Sequence, residues 1–194
     1  MKKLDGKLKH NIAVLISGRG SNLKSIIKHS FKKKTSYKVK VIISNNQKAK
    51  GLLVARKMQI RNYCIDFTRS KKLGEIVLKV LKKNNIKLIC LAGFMKILPE
   101  YFIKLYNGKI INIHPSLLPR YKGLNTHKRV ILNNEKYTGC TIHYVNKFLD
   151  SGKIISQKKI RISKKDTAKS IEKKVLKIEH KIYPKAIDKV LSSL

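Results

Sequence analysis

The chain has 194 residues, of which 42% are hydrophobic, and its 46 Lys plus Arg against 10 Asp plus Glu give a formal net charge of +36. That length suits one domain and that apolar share can fill a core, so wholesale disorder is excluded despite the charge. No run of 18 uncharged apolar residues occurs, which excludes a spanning helix.

The opening segment, Met1 to His10, is basic, lacks an apolar signal core and reads as a short tail ahead of a single domain over residues 11–194. Asn11–Ser17 is a short apolar run bounded by Gly18, the pattern of a buried strand. Leu23–Lys33 has helical apolar spacing. Lys38–Ser44 is a second strand, ending at the turn-prone Asn45 and Asn46. Gly51–Met58 reads as a short helix and Tyr63–Asp66 as a third strand. Ser70–Asn84 is amphipathic, with Leu73, Ile76, Val77, Val80 and Leu81 at helical spacing. Lys87–Leu91 is a strongly apolar fourth strand, Pro99 opens another helix, and Ile110–Ile113 is a fifth strand. Thr138–Val145 and Lys153–Ile162 read as strands around the loop Asn146–Gly152. Asp166–Leu194 reads as a long terminal helix broken near Pro184. Strand–helix alternation up to residue 113 predicts an α/β fold, a doubly wound and mostly parallel sheet. The C-terminal strand pair and long helix depart from that alternation.

The charge first suggests a nucleic-acid binder. However, 39 of the basic residues are Lys and only 7 are Arg, they run along the whole chain, and aromatics make up 7% with no Trp. This composition lacks the Arg forks and stacking aromatics of base recognition, and it reads as a bias laid over an ordinary fold. A cleft in such a chain attracts anionic substrates at low salt. Cys64, Cys90 and Cys140 form no C-x-x-C pair, which fits a reducing, cytoplasmic setting and excludes a disulfide framework. Histidine spacing gives no expectation of a metal.

Ligands of open α/β sheets bind at the carboxyl ends of the strands. Three segments sit there. Ser17-Gly18-Arg19-Gly20-Ser21-Asn22 joins a strand to a helix N-terminus, a natural phosphate cradle, and it matches neither the nucleoside-triphosphatase nor the dinucleotide fingerprint. In Asn112-Ile113-His114-Pro115, alternation puts an amide donor and an imidazole on one strand face, a workable acyl-transfer pair. Thr141 and His143 share a face of their strand, and Asp150 follows in a turn, where its carboxylate would orient an imidazole and raise its pKa.

In this order, the segments resemble the phosphoribosylglycinamide formyltransferase family. The carriers are Ile12–Asn22, Leu91–Leu98, Ile111–Pro119 followed by Gly123, Gly139–Val145, Leu149–Gly152 and Glu179–Pro184. The resemblance implies formyl transfer from 10-formyltetrahydrofolate to the amine of glycinamide ribonucleotide, in de novo purine synthesis, without a metal. It implies a catalytic trio of Asn112, His114 and Asp150. Gly20, Ser21 and Asn22 would bind the ribonucleotide phosphate, and Glu179 its ribose hydroxyls. Met95, Lys96, Ile97 and Leu98, with Arg69, would bind folate. Partners are then small molecules, with no membrane and no required nucleic acid, and monomer or homodimer is left open. Leu176 stands where relatives often carry Gln, and Asn146 to Leu149 replace a more acidic segment. Methionyl-tRNA formyltransferase resembles the chain around the trio but uses a further C-terminal domain. A formyltetrahydrofolate hydrolase carries an extra N-terminal one. The different-class alternative is a basic nucleic-acid-binding module.

Overall fold

Ile12, Ala13, Val14, Leu15 and Ile16 are all fully buried, which places their strand at the centre of a sheet covered on both faces. The computed structural model describes residues 9–193. Seven strands run as β1 (His10–Ile16), β2 (Tyr37–Ser44), β3 (Arg61–Cys64), β4 (Ile86–Leu91), β5 (Lys109–His114), β6 (Tyr137–Tyr144) and β7 (Ile154–Arg161). The helices are α1 (Ser21–Ser30), α2 (Lys50–Lys57), α3 (Lys71–Lys83), α4 (Glu100–Leu105), α5 (Thr126–Leu132) and α6 (Ala168–Leu191), with a 3-10 turn at Phe67–Arg69.

The strands form one sheet in the order β3-β2-β1-β4-β5-β6-β7. The pairings among β1 to β5 are parallel, and β6 is antiparallel to both β5 and β7. The chain winds outward from β1 to β3 and then crosses to β4 on the other side of β1. The connections leaving the carboxyl ends of β1 and β4 therefore turn to opposite faces of the sheet, and a crevice opens there.

Alternation along β1 divides the core. Ile12, Val14 and Ile16 pack with Leu23, Ile26 and Ile27 of α1 and Tyr183 and Ile187 of α6. Ala13 and Leu15 face Val77 and Leu81 of α3 and Phe102 of α4. The buried Tyr183 hydroxyl donates to the Leu91 and Ile111 carbonyls at 2.9 and 3.3 Å, tying α6 to β4 and β5. Thr167 caps α6 through a reciprocal pair with Ser170. No helix among the described residues is long and apolar enough to cross a membrane.

Three expectations need correction. Alpha-helix α6 runs unbroken through Pro184. An interior proline forfeits one backbone bond and costs about 3 kcal/mol. Here the buried flanks Tyr183, Ala186 and Ile187 hold the helix on the sheet. The sequence pattern predicts no helix at α5, which has seven residues of which only Thr126 and Val130 are buried, too few to print a period. His10 belongs to β1 and not to the expected tail. Its residues 1–8 lie outside the described residues.

Candidate active site

Above the carboxyl ends of β1, β4 and β5 lies a cavity of about 1430 Å³. A pocket for one small molecule measures roughly 300–1,000 Å³, so this one has room for two ligands. Its wall carries Ser17 to Asn22, Leu91 to Leu98, Asn112 to Pro115, Gly123 to Lys128, and His143 together with Val145 to Asp150. Helix α6 adds Glu172, Leu176 and Glu179, which share one helix face at i, i+4 and i+7. Of the chain's ten acidic residues, three (Asp150, Glu172 and Glu179) line this wall, so its field is mixed where the rest of the molecule is cationic.

At one end, the antiparallel register of β5 and β6 sets Asn112 opposite His143 and His114 opposite Thr141. Same-strand alternation then puts all four on one face. Asp150 reaches the group from a turn and sits at φ 45°, a left-handed backbone that Asp tolerates better than most residues. The turn passes so close to β6 that a Cβ on Gly152 would lie 1.7 Å from the Tyr144 carbonyl oxygen. Asp150 Oδ2 accepts from the Gly123 amide at 2.9 Å and lies 3.2 Å from His114 Nδ1. Asp150 Oδ1 lies 3.6 Å from His143 Nε2.

The acceptors around the imidazoles assign their protons. His114 Nε2 donates to the Tyr121 carbonyl at 2.8 Å, and His143 Nδ1 donates to the Tyr144 carbonyl at 2.8 Å, because a carbonyl can only accept. The Asn112 amide nitrogen directs its hydrogens to His143 Nε2 at 3.3 Å and Asp150 Oδ1 at 3.4 Å. Both distances exceed the usual 2.7–3.2 Å range. These N–H groups are loosely held, and a better acceptor would displace either partner.

Burial pushes the His114 imidazole below its ordinary range; the Tyr121 carbonyl and Asp150 pull it up and do not prevail. The rise expected from Asp150 alone is thus corrected: desolvation of a ring 5% exposed outweighs one carboxylate. Burial would raise the Asp150 carboxyl, but the His143 and His114 rings and the Gly123 amide together hold it below the carboxylate range.

At the opposite end stands the N-terminus of α1. Gly20 is its cap at φ 73°, and a Cβ there would sit 2.7 Å from Gly51 Cα, so both the angle and the closeness of α2 require glycine. No side chain caps the helix, and its first amides stay free for an anion. Arg19 lines the wall and pairs with Glu172 at 2.5 Å. The Asn22 side-chain amide donates to the buried Glu179 carboxylate at 2.7 Å. Asn22 Oδ1 is buried with no partner. Burial raises the Glu179 carboxyl despite that bond.

Met95, Lys96, Ile97 and Leu98 also line the wall. Met95, Ile97 and Phe148 leave 65%, 69% and 64% of their surface exposed around the mouth. Arg69 is not among the wall residues; its exposed side chain stands on the 3-10 turn, paired with Asp66 at 2.8 Å. Arg19, Asn125, His127, Lys169 and Glu172 also line the wall, and they lie outside the motif segments or carry no signal within them. Only the seven-residue spacing of Glu172 and Glu179 could have flagged one of them.

The formyl transferase family matches residues 10–187. The chain is 39% identical over 179 residues to the phosphoribosylglycinamide formyltransferase of Haemophilus influenzae, covering 91% of this chain and 84% of that one. It is 40% identical over 196 residues to the trifunctional purine biosynthetic protein adenosine-3 of Gallus gallus, covering 97% of this chain but 19% of that protein, so the chain spans about a fifth of such relatives. The crystal structure of phosphoribosylglycinamide formyltransferase from Anaplasma phagocytophilum superposes with a TM-score of 0.89 at 41% identity, over 94% of this chain and 87% of that one. With match and geometry in agreement, the chain belongs to the formyl transferase family, among the phosphoribosylglycinamide formyltransferases.

Proposed function

We propose that the chain transfers a formyl group from 10-formyltetrahydrofolate to the amine of 5'-phosphoribosylglycinamide, in de novo purine biosynthesis. The observation that carries the reading is the convergence of Asn112, His114 and Asp150 at one end of a cavity whose other end is a free helix N-terminus. Two features of the wall fit the two substrates. The exposed apolar Met95, Ile97 and Phe148 suit a flat heterocycle and its aromatic tail. The orphaned Asn22 Oδ1 beside Glu179 calls for hydrogen-bond donors, which ribose hydroxyls provide.

The donor supplies an activated formyl group, so no further energy source is needed. The amides of Gly20, Ser21 and Asn22 hold the phosphate, remote from the reacting atoms, and its binding orients the amine. Asn112 turns a loosely held N–H toward the formyl oxygen as negative charge grows there. His114, neutral at rest, takes a proton at Nδ1, the nitrogen beside Asp150, and the carboxylate stabilises the imidazolium that forms. The new bond joins the substrate nitrogen to the formyl carbon, and the bond from that carbon to the folate nitrogen breaks. The proton that leaves the amine is returned, through His114, to the departing folate nitrogen. Lys96, on the wall, offers a cation to the folate carboxylates.

Purified protein supplied with both substrates should consume folate donor in step with formylated ribonucleotide. His114→Ala should abolish turnover with the fold intact. No turnover by the unaltered protein, or a His114→Ala variant as fast as its parent, would overturn the assignment.

A further inference from the structure

The segment from Arg120 to Leu124 supplies a partner to each member of the proton-transfer pair. The Tyr121 carbonyl accepts from His114, and the Gly123 amide donates to Asp150. The segment has no regular structure of its own, and Tyr121 sits at φ 58°, where a bulky residue is strained. Something outside it must hold it. Arg129, on α5, does so at three points. Its Nη1 donates to the Lys122 carbonyl at 2.6 Å and reaches the Leu124 carbonyl at 3.5 Å. Its guanidinium lies over the Tyr121 ring, 5.2 Å from the centroid. Arg120 also lies over that ring, at 5.5 Å, and the Tyr121 hydroxyl donates to Glu135 at 2.5 Å.

We propose that Arg129 is a positioning residue: by bridging Lys122, Leu124 and the Tyr121 ring, it holds the Tyr121 carbonyl and the Gly123 amide where His114 and Asp150 meet them. The kinetic consequence rests on the formyl-transfer reading above; the structural one does not. The 2.8 Å bond to Tyr121 keeps the resting proton of His114 on Nε2, leaving Nδ1 free to accept beside Asp150. If the segment slips, the carbonyl leaves Nε2 and the proton divides between the two nitrogens.

The charged and titratable groups facing His114 are Asp150, which favours the imidazolium, and His143 and Arg129, which oppose it. Removing Arg129 outright would therefore mix two effects. Lysine at this position keeps the charge but lacks the flat guanidinium face, so it cannot bond the Lys122 carbonyl and cover the Tyr121 ring together. Arg129→Lys thus isolates geometry from charge, and since Arg129 is exposed, the substitution leaves the core untouched.

The test pairs imidazole ¹⁵N NMR of the unliganded protein with steady-state kinetics, on Arg129→Lys and Arg129→Ala. In the unaltered protein His114 should show a single Nε2–H tautomer. In Arg129→Lys the tautomers should mix, and kcat should fall by about tenfold to a hundredfold, the scale of a small misplacement. KM for both substrates should stay within about twofold. An Arg129→Lys variant with unchanged tautomer and kcat would overturn the proposal, as would a fall in kcat with the tautomer unmoved. Should Arg129→Ala fail to fold, the lysine variant decides. Should the unaltered protein not transfer formyl groups, the proposed function fails and the tautomer measurement alone decides this inference.

Discussion

Asp150→Asn is the sharpest perturbation of the site. Asparagine fits the same volume and tolerates the left-handed backbone at φ 45°, so the turn should survive. What is lost is charge. At 3.2 Å from His114 Nδ1, a full carboxylate stabilises the imidazolium by about 5 kcal/mol at an effective dielectric of roughly 20. The asparagine dipole recovers part of that. A net loss of about 3–4 kcal/mol in the transition state follows, or about a hundredfold to a thousandfold in kcat. Steady-state formyl transfer should show the fall in kcat with little change in either KM, because the resting His114 is neutral and the ion pair forms only during proton transfer. Thermal melting checks the fold. A folded variant whose kcat lies within about fivefold of the parent would refute the reasoning, since it would mean that Asp150 does not stabilise charge on His114.

Two more outcomes follow from the same geometry. Gly20→Ala should destabilise the protein by about 1–3 kcal/mol, measured by denaturant unfolding, because the new Cβ meets α2 at 2.7 Å on a positive-φ backbone; an unchanged midpoint would show that the α1–α2 approach is slack. Burial lowers the pKa of His114, His127 and His180, so each binds its proton more readily when unfolded. Their neutral-state stabilisation is complete above the unfolded value of about 6.5 and is lost as pH falls from there through the folded values. Melting temperature should therefore drop on acidification below pH ~6.5, well before the carboxylates protonate, and a flat profile down to pH 5 would contradict the burial of these rings.

The doubly wound, mostly parallel sheet could be anticipated because its determinants are local. Runs such as Val14 to Ile16 and Leu88 to Leu91 are buried on both faces, and such runs separated by amphipathic helices admit few arrangements beyond a doubly wound sheet. The residues at the carboxyl ends of those strands were legible for the same reason, since alternation alone puts Asn112 with His114 and Thr141 with His143. Folding decided what depends on distant segments meeting. Asp150 joins His114 only because β6 turns back against β5, and Arg69 misses the cavity because its turn is tied to Asp66. The Asn22 amide finds Glu179, 157 residues away, across the α1–α6 packing. The low pKa of His114 belongs to this second class as well: the neighbouring acid can be guessed from a motif, but desolvation is a property of the whole enclosing wall.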